Sequence, residues 1–374
     1  MTKKILLIGG GKIGEAIAAL LSDTPDFALM VADHSEDALA RLKKIHDGVE
    51  PRHLDASDYD SIVEAATGKF AILNAGPYFL APLVAKAASE VESHYLDLTE
   101  DVVNTRKVSK LAVGAATAFI PQCGLAPGFI SIAANDLASK FDDLDSVQMR
   151  VGALPRFPTN AMKYNLTWST EGVINEYCQP CDAIIDGQLV QTLPMEGLEE
   201  FSLDGIRYEA FNTSGGLGSM CKTFESKVNT MNYRSVRYPG HNAIMKVLLE
   251  DLNLGKRRDL LKEILESAVP ATMQDVVLIF VTVSGHIQGR YLQESYASKI
   301  YDSEINGLHL SAIQITTASG ILAVLDLLAA GSLPEKGLVR QEDVNLSDFL
   351  SNRFGQYFRS ENIRSDSHLI DSVQ

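Results

Sequence analysis

The sequence has 374 residues, which is long enough for two domains, and 46% of them are hydrophobic, so ordinary buried cores can form. A net charge of −15, from 33 Lys and Arg against 48 Asp and Glu, argues against a nucleic-acid or anionic-membrane surface, because both need a basic face. The N-terminus runs directly into a predicted strand and we find no apolar stretch long enough to span a bilayer, so we expect a cytoplasmic protein.

The first element is a predicted buried strand that ends in a glycine turn. Residues 5–8 form an unbroken apolar run, typical of a strand covered on both faces of a parallel sheet. The turn that follows has the G-x-G-x-x-G spacing, and residues 15–21 predict a helix. Strand, glycine turn and helix together indicate a dinucleotide site, with the helix N–H groups holding the phosphates. The predicted cofactor contacts of this turn are Gly9, Gly11, Lys12, Ile13 and Gly14.

The second predicted strand, residues 27–33, ends in an acid about twenty residues beyond the glycines. A carboxylate at Asp33 can accept hydrogen bonds from the adenosine ribose hydroxyls, and it repels a 2′-phosphate. His34 and Ser35 offer no arginine to offset that repulsion. We therefore predict NAD as the cofactor in preference to NADP. The alternative, a glycine-rich surface turn followed by a chance Asp, is disfavoured by the three-part context.

Four further strands and four further helices alternate up to residue 121. The strands are predicted at 52–55, 70–74, 94–98 and 118–121, and the helices at 35–45, 59–67, 81–90 and 102–115. Six strands alternating with helices make a complete doubly wound α/β domain of the Rossmann type. We expect the strand order 3-2-1-4-5-6.

The loops at the carboxyl ends of these strands are the expected ligand-binding edge of the sheet. The candidate cofactor contacts there are Asp55, Asn74, Ala75, Gly76 and Pro77, of which the last four would lie beside the nicotinamide ribose. Tyr78, Asp97 and Cys123 also follow strand ends, and we expect them to face the nicotinamide.

The pattern changes near residue 129, and a second, sheet-containing α/β domain is predicted. Strands are expected at 146–153, 275–284, 289–299 and 307–315, a hairpin at 183–188 with Asp186-Gly187 at its turn, and helices at 131–141 and 316–330. The predicted divisions are 1–123 for the Rossmann domain, 124–315 for the second domain, 316–350 for a helix that returns to the first domain, and 351–374 for a polar, mobile tail.

Polar segments of the second domain supply candidate substrate contacts. Arg237 suits a substrate carboxylate, because its planar guanidinium gives paired hydrogen bonds. Thr213 and Ser214, followed by two glycines, resemble a small anion-binding nest. His241 has an ordinary pKa near neutrality and could move a proton. Each has a plainer alternative: Arg237 could pair with an acid of this acidic chain, and His241 could cap a helix.

Four cysteines, including the C-x-x-C pair Cys178 and Cys181, raise the question of redox or zinc chemistry. No second C-x-x-C or nearby histidine pair completes a metal set. Two incidental reduced thiols are therefore favoured, and we predict no metal site.

Several segments together resemble the saccharopine dehydrogenase-like family, from about residue 3 to residue 350. Beside the glycine turn these are N-A-G-P-Y at 74–78, Y-L-D at 95–97, G-L-A-P-G at 124–128, N-T-S-G-G at 212–216 and R-Y-P-G-H at 237–241. The resemblance implies a Rossmann domain, a mixed α/β domain that carries substrate contacts and homodimerisation, and a C-terminal helix that returns to the first domain.

The branch that the sequence resembles most is lysine 6-dehydrogenase. This resemblance implies hydride transfer from the lysine ε-carbon to NAD, followed by hydrolysis of the imine to the semialdehyde with release of ammonia. It implies that Tyr78, Asp97 and His241 are catalytic, and that Arg237, Thr213, Ser214 and Cys123 contact the substrate.

Two alternatives stay open. One is a saccharopine dehydrogenase (glutamate-forming) or carboxynorspermidine dehydrogenase-like enzyme that joins an aldehyde to an amino acid. Those saccharopine enzymes typically have a longer second domain and often an Arg-containing NADP signature, whereas this chain has Asp33. The other is a non-catalytic NAD-binding regulator, which the joint presence of the candidate catalytic residues disfavours.

Overall fold

The computed structural model describes residues 2–359. Its first part is a parallel sheet with helices on both faces. The strands are β1 (Lys3–Ile8), β2 (Phe27–Asp33), β3 (Glu50–His53), β4 (Ala71–Asn74), β5 (His94–Asp97) and β6 (Ala118–Ile120). The helices are α1 (Lys12–Leu21), α2 (Glu36–Ile45), α3 (Tyr59–Ala66), α4 (Ala81–Glu90) and α5 (Val102–Leu111), with a 3₁₀ turn at Tyr78–Leu80.

The strand order of this sheet is β3-β2-β1-β4-β5-β6, which confirms the predicted order. The register pairs Ile8 with Ala32 on one side and with Asn74 on the other. As a result the glycine turn, the end of β2 and the end of β4 meet at one edge of the sheet, where a doubly wound fold binds its ligands. A seventh strand, Gly337–Leu338, pairs in parallel with β6 and was not predicted.

The second part of the chain forms a mixed sheet with helices. Its elements in order are α6 (Phe129–Ala138), β7 (Asp143–Pro155), α7 (Thr170–Cys178), β8 (Cys181–Ile185), β9 (Gln188–Thr192), β10 (Glu199–Leu203), β11 (Ile206–Asn212), α8 (Met220–Phe224), β12 (Val228–Arg237), α9 (His241–Lys246), a π turn (Val247–Asp251), a 3₁₀ turn (Leu254–Lys256), α10 (Arg258–Ala268), β13 (Asp275–Ile287), β14 (Arg290–Tyr301), β15 (Ser303–Ile305), β16 (Leu308–Leu310), α11 (Ala312–Ala329), β17 (Gly337–Leu338), a 3₁₀ turn (Gln341–Asp343), α12 (Leu346–Ser351) and a last 3₁₀ turn (Gly355–Phe358).

The main sheet of this second part has eight strands, and six of them follow the order β10-β11-β12-β7-β13-β14. The β12–β7 pair is parallel and its neighbours are antiparallel, so the sheet is mixed. A sheet-containing α/β domain was predicted here, and the structure confirms it. The β8–β9 hairpin turns at Asp186 and Gly187, whose φ angles of 52° and 74° are both positive, and the predicted turn is thereby confirmed.

The strand predicted at 307–315 is mostly wrong. Only Leu308–Leu310 is extended, and it pairs with β15 in a separate small hairpin. Helix α11 begins at Ala312 because Ser311 and Gln314 form a capping box, each side chain bonded to the other's backbone N–H. The predicted helix at 316–330 therefore begins four residues earlier than expected.

Helix α11 packs against α1 of the first part and against β13 of the second. By length and composition it could cross a membrane, contrary to our expectation from the sequence, but 78% of its apolar window is buried inside the protein. Its Gly320 lies where a Cβ atom would approach the Cys123 carbonyl oxygen to 2.8 Å. The helix is thus the structural connection between the two halves of the chain.

The predicted tail begins too early at residue 351. Phe354 and Phe358 are buried, and the Phe358 ring stacks on Phe129 with the centroids 4.1 Å apart. These two aromatic side chains hold the segment up to residue 359 against the core, because burying an aromatic ring removes a large apolar area from water. The remainder of the predicted tail, 360–374, lies outside the described residues.

Candidate active site

A cleft of about 600 Å³ runs from the glycine turn of the first part to β12 of the second. Gly11, Lys12, Ile13, Gly14 and Ala75 line one end, which places five of the predicted cofactor residues on its wall. Arg237 lines the other end. Between them lie the G-L-A-P segment at 124–127, the start of α11 and the segment 166–171. The cleft therefore joins the predicted cofactor site to the predicted substrate arginine.

The glycine turn has the geometry that a dinucleotide needs. Gly9 has a φ of 104°, and a Cβ atom there would lie 2.9 Å from the Ala75 carbonyl oxygen. A Cβ atom on Gly14 would lie 2.1 Å from the Gly9 carbonyl oxygen, so only glycine allows this helix to approach the turn. A Cβ atom on Gly11 would meet nothing within 4 Å, which leaves open space at the start of α1 for a phosphate. The residues present fit a dinucleotide.

The other predicted cofactor residues do not line the cleft. The Asp33 carboxylate accepts hydrogen bonds from the Gly10 and Ser35 N–H groups, both at 2.7 Å, so it is held at the end of β2. Asp55 is exposed and accepts from Ser57. The Asn74 side chain accepts from the Gly76 N–H at 3.1 Å and shapes the loop that continues to Pro77. Their contacts with a cofactor stay predictions.

Asp97 lies beneath the cleft. It is 0% exposed, and its Oδ1 accepts from the N–H groups of Gln122 at 2.8 Å and Thr99 at 3.1 Å, while its Oδ2 accepts from the Tyr95 hydroxyl at 2.8 Å. Burial raises the pKa of Asp97 to about 6 despite these bonds. This arrangement holds the loops after β5 and β6 together. The predicted contact of Asp97 with a reacting amine stays a prediction.

Cys123 is equally buried, and its thiol donates to the Ile120 carbonyl oxygen at 2.9 Å. Burial raises the pKa of this thiol well above its usual value, so it stays protonated. Cys123 does not line the cleft, and its predicted substrate contact is untested. Tyr78, by contrast, is half-buried near the rim, where burial and the carboxylate of Glu171, a cleft residue, raise its pKa.

Arg237 is buried, with 3% of its surface exposed, and it faces the cleft from the end of β12. Its Nε donates to the Tyr177 hydroxyl at 2.8 Å and its Nη1 to the Val236 carbonyl oxygen at 2.8 Å. The guanidinium also lies over the Tyr164 ring, 5.2 Å from the centroid. Among residues 2–359 no carboxylate lies within 4.0 Å of it, so the anticipated pairing with an acid is not seen there.

His241 forms a hydrogen bond with the Tyr177 hydroxyl. The Met162 carbonyl oxygen, 3.0 Å from Nδ1, can only accept, so Nδ1 carries the proton and Nε2 accepts from the Tyr177 hydroxyl at 3.1 Å. Burial, assisted by the charge of Arg237, lowers the pKa of His241 to about 3. The imidazole is therefore neutral and positions Tyr177. Its predicted role as an acid or base stays a prediction, and this geometry gives it no contact with the cleft.

Thr213 and Ser214 lie one layer behind the cleft wall. The Thr213 hydroxyl shares a 2.8 Å hydrogen bond with that of Ser235, which lines the cleft, and the Ser214 N–H donates to the Glu176 carbonyl oxygen at 3.0 Å. The two following glycines permit close approach: a Cβ on the first would lie 2.5 Å from the Glu100 carbonyl oxygen, and on the second 2.2 Å from the Tyr233 ring. The segment joins the two halves of the chain, and the predicted anion nest is not on the cleft wall.

Sequence reasoning missed four carboxyl groups that line the cleft: Glu171 and Glu266 are exposed, whereas Glu100 and Glu176 are not. Glu100 follows β5 and is half-buried, while Glu176 lies on α7 and is 8% exposed. Burial raises the pKa of Glu100 to about 7 and that of Glu176 to about 8, with the charge of Glu100 adding to the rise at Glu176. Glu100 could have been found from its place after a strand end, but Glu176 carries no local signal.

The part of the chain that the structure describes contains no cluster of side chains suited to bind a metal ion. Over residues 2–359 no group of three or more His, Cys, Asp or Glu side chains is arranged to hold a metal ion. Cys178 ends α7 and Cys181 begins β8, and both are free thiols.

Two family models match the chain. The model described as the saccharopine dehydrogenase NADP binding domain matches residues 5–118, and the model described as the saccharopine dehydrogenase C-terminal domain matches residues 124–355. Together they cover both halves of the fold and both ends of the cleft.

Curated relatives are distant. The mitochondrial alpha-aminoadipic semialdehyde synthase of Rattus norvegicus is 21% identical over 315 residues, which cover 80% of this chain and 33% of the relative. The alpha-aminoadipic semialdehyde synthase of Arabidopsis thaliana is 23% identical over 287 residues, covering 66% of this chain and 27% of the relative. The chain thus spans about a third of the length of the curated relatives it matches.

A solved structure shows the same fold over nearly the whole chain. Apo saccharopine dehydrogenase (L-Glu forming) from Saccharomyces cerevisiae superposes with a TM-score of 0.77 at 16% identity, covering 95% of this chain and 96% of that one. With both family models matched in order, the chain belongs to the saccharopine dehydrogenase family of oxidoreductases and carries that family's NAD(P)-binding domain.

Proposed function

We propose that the protein is an NAD-dependent dehydrogenase that oxidises the CH–NH group of a basic amino acid, in the manner of lysine 6-dehydrogenase. The observation that carries this proposal is Arg237, a buried guanidinium without a carboxylate partner among residues 2–359, in the same cleft as the glycine turn. A buried charge without a partner is costly, so a substrate carboxylate is the counter-ion that this position favours.

The remaining walls of the cleft suit an amino acid with a long alkyl chain. Val151, Ala153, Leu166 and Trp168 line it between Arg237 and the glycine turn. Apolar side chains there would bury the methylene groups of the substrate. A dinucleotide held by its phosphates at the glycine turn would supply the hydride acceptor for the carbon that bears the amine. Hydrolysis of the resulting imine then releases ammonia.

NAD is proposed as the cofactor, whereas the matching family model carries NADP in its description. The support is Asp33, whose carboxylate is fixed at the end of β2 by two backbone N–H groups. A carboxylate at that place accepts from ribose hydroxyls and opposes a 2′-phosphate. The two residues that follow, His34 and Ser35, bring no guanidinium to receive one.

The second candidate is oxidation of a secondary-amine amino acid such as saccharopine. Lys262 favours it, because this cation lines the cleft together with Arg237 and Lys12 and could receive an extra carboxylate. Against it stands the ion pair of Lys262 with Glu171, at 3.6 Å, which already neutralises that charge.

The test is NADH or NADPH formation by the purified protein at alkaline pH, with lysine, ornithine, diamines and saccharopine as substrates. We expect turnover of lysine with NAD and release of ammonia in equal amount to NADH. Turnover of saccharopine alone, with glutamate released, would move the protein to the second candidate. NAD binding without turnover of any of them would contradict both.

We further propose that the protein is a homodimer formed through the second part of the chain. The support is β14, an edge strand of the eight-stranded sheet that exposes Tyr291, Leu292 and Tyr301. An edge with exposed apolar side chains favours pairing with another chain. Light scattering should give twice the monomer mass, and Leu292→Arg should reduce it to the monomer mass. A wild-type monomer would contradict the proposal.

A further inference from the structure

The Glu176 carboxyl group occupies an unusual position. It belongs to a residue that is 8% exposed, it faces the cleft, and among residues 2–359 it has no hydrogen bond or ion pair. Buried polar groups are normally hydrogen-bonded, since leaving one without a partner costs about 1 to 3 kcal/mol. Because the Glu176 carboxyl group lines the cleft and has no partner among residues 2–359, a ligand in the cleft can supply that partner.

Glu100 brings a second carboxyl group to the same cleft from the other half of the chain. The segment 213–216 positions both backbones. Ser214 donates its N–H to the Glu176 carbonyl oxygen, and Gly215 packs directly on the carbonyl oxygen of Glu100. Two carboxyl groups separated by 76 positions in the chain are thus held by consecutive residues of one segment.

The charges of these groups point to the ligand. Four glutamates, Glu100, Glu171, Glu176 and Glu266, line the cleft against three cations, Lys12, Arg237 and Lys262. When all of them are ionised the cleft carries an excess negative charge, which burial makes unfavourable. An ammonium group removes this excess and offers three N–H donors to oxygens that lack partners. A ligand that carries only carboxylates would pair with Arg237. Its negative charge would, however, repel the carboxylates of Glu100 and Glu176.

We propose that Glu176 and Glu100 together bind a cationic amine of the substrate while Arg237 binds its carboxylate, so that the cleft selects amino acids with a free ammonium group over purely anionic ligands. This inference rests on the proposed function and adds to it the residues that bind the positively charged amine. It assigns to Glu176 and Glu100 the discrimination between lysine-like and anionic ligands.

The experiment measures binding, by calorimetry, of three ligands with the same six-carbon chain to the protein saturated with NADH, which cannot accept a hydride from them. The ligands are hexanoate, with a carboxylate only, norleucine, with one added ammonium, and lysine, with two. The variants are Glu176→Gln and Glu100→Gln. The matched control is Glu263→Gln, which makes the same change in charge on exposed α10, a helix that packs on α7.

We expect the wild-type protein to bind lysine about ten-fold or more tightly than hexanoate, on the scale of a charge-assisted hydrogen bond. Glu176→Gln should lower that ratio about ten-fold and leave hexanoate binding equal or stronger, because an opposing charge has been removed. Glu100→Gln should lower the ratio in the same direction, and Glu263→Gln should leave it unchanged. An unchanged lysine-to-hexanoate ratio in Glu176→Gln, or equal binding of lysine and hexanoate by the wild type, would overturn the inference.

Folding and activity are followed separately in the same preparations. Thermal unfolding and NAD affinity show whether each variant is intact, and Glu100→Gln, at a half-buried position, carries the test if Glu176→Gln does not fold. Wild-type turnover distinguishes the two proposals. If no amine is oxidised but the ratio changes as expected, the proposed function fails and the inference stands. If lysine is oxidised but the ratio is unaffected by the variants, the inference fails and the proposed function stands.

Discussion

The Nε of Arg237 and the hydroxyl oxygen of Tyr177 lie 2.8 Å apart, and this hydrogen bond sets the direction of the guanidinium at the end of the cleft. Tyr177 in turn donates to neutral His241, whose other nitrogen donates to a backbone carbonyl. In this series of hydrogen bonds, the Tyr177 hydroxyl and each ring nitrogen of His241 therefore have defined donor or acceptor functions. A guanidinium held in this way loses little conformational freedom when it binds a carboxylate.

Replacing Arg237 with lysine should raise KM for an amino-acid substrate about 10- to 100-fold, because a single ammonium cannot reproduce paired hydrogen bonds to a carboxylate. Steady-state kinetics with NAD saturating measures this. The control is Arg234→Lys, on the same strand but paired with Glu199 at 2.6 Å, which should leave KM within about two-fold. Normal KM in the Arg237 variant would remove the carboxylate role.

Two glycine-to-alanine changes in the turn should have different effects, one on NADH binding and the other on the stability of the fold. Gly11→Ala places a methyl group in open space, so we expect an unchanged free energy of unfolding but at least ten-fold weaker NADH binding, because the methyl occupies the space of a phosphate. Gly14→Ala places it 2.1 Å from a backbone oxygen and should prevent folding or cost about 3 kcal/mol. Fluorescence titration with NADH and urea unfolding report the two quantities. Unweakened NADH binding by Gly11→Ala would place the phosphates elsewhere.

Asp33→Ser should reduce the preference for NAD over NADP about ten-fold or more, since it removes the carboxylate that opposes a 2′-phosphate. The ratio of the two dissociation constants measures this effect. Asp37→Ser removes the same charge from an exposed position at the start of α2 and should leave the ratio unchanged. If the ratio in Asp33→Ser equals the wild-type ratio, Asp33 does not select the cofactor.

Asp97→Ala should lower the free energy of unfolding by about 2 to 4 kcal/mol, because it leaves the buried N–H groups of Gln122 and Thr99 without an acceptor. Asp97→Asn keeps an acceptor oxygen and should cost about 1 kcal/mol or less. The pKa of Asp97 is raised to about 6, so its ionisation destabilises the fold as pH rises from about 4 to 6, and the Asn variant should lack that decline. Urea unfolding at pH 4.5 and 7.5 tests both points. Equal stability of the Ala and Asn variants would contradict the bonding scheme.

His241 should make the protein less stable as pH falls. Its pKa in the folded protein is lowered to about 3, so between about pH 6.5 and 3 the unfolded chain binds a proton that the folded protein does not. The contribution of His241 to the free energy of unfolding should therefore be constant above pH 7 and decrease below it, opposite in direction to the contribution of Asp97, and His241→Phe should lack this decrease. His286→Phe, at an exposed position, should keep the wild-type dependence. Identical pH dependence in the wild type and His241→Phe would mean that His241 titrates normally.

Elements formed from local patterns were predictable from the sequence. The apolar run of β1, the glycine spacing before α1 and the Asp186-Gly187 turn each act through sterics and hydrogen bonds between near neighbours. The strand order followed from the alternation of strands and helices, which restricts the possible topologies. The start of α11 could also have been predicted from the capping-box residues Ser311 and Gln314. The apolar residues around them were instead interpreted as a strand.

Contacts between distant parts of the chain decided the rest. The two-residue strand β17 exists because it meets the edge of β6, and the segment at Phe358 is ordered because Phe129 receives its ring. Contacts between distant residues also limit how much of the candidate site could be predicted from the sequence. The chemistry of Arg237 could be inferred from its side chain, whereas the importance of Glu176 comes from its burial and from its nearness to Glu100 and Arg237.

What the sequence by itself determined was thus the dinucleotide turn, the order of the sheet and the family resemblance. Only the tertiary structure decided that Asp97, Cys123 and His241 are buried without lining the cleft and that four glutamates line it. The physical reason is that local conformation depends on neighbouring residues, while burial, and with it the pKa and the partners of a charged group, depends on the whole packed chain.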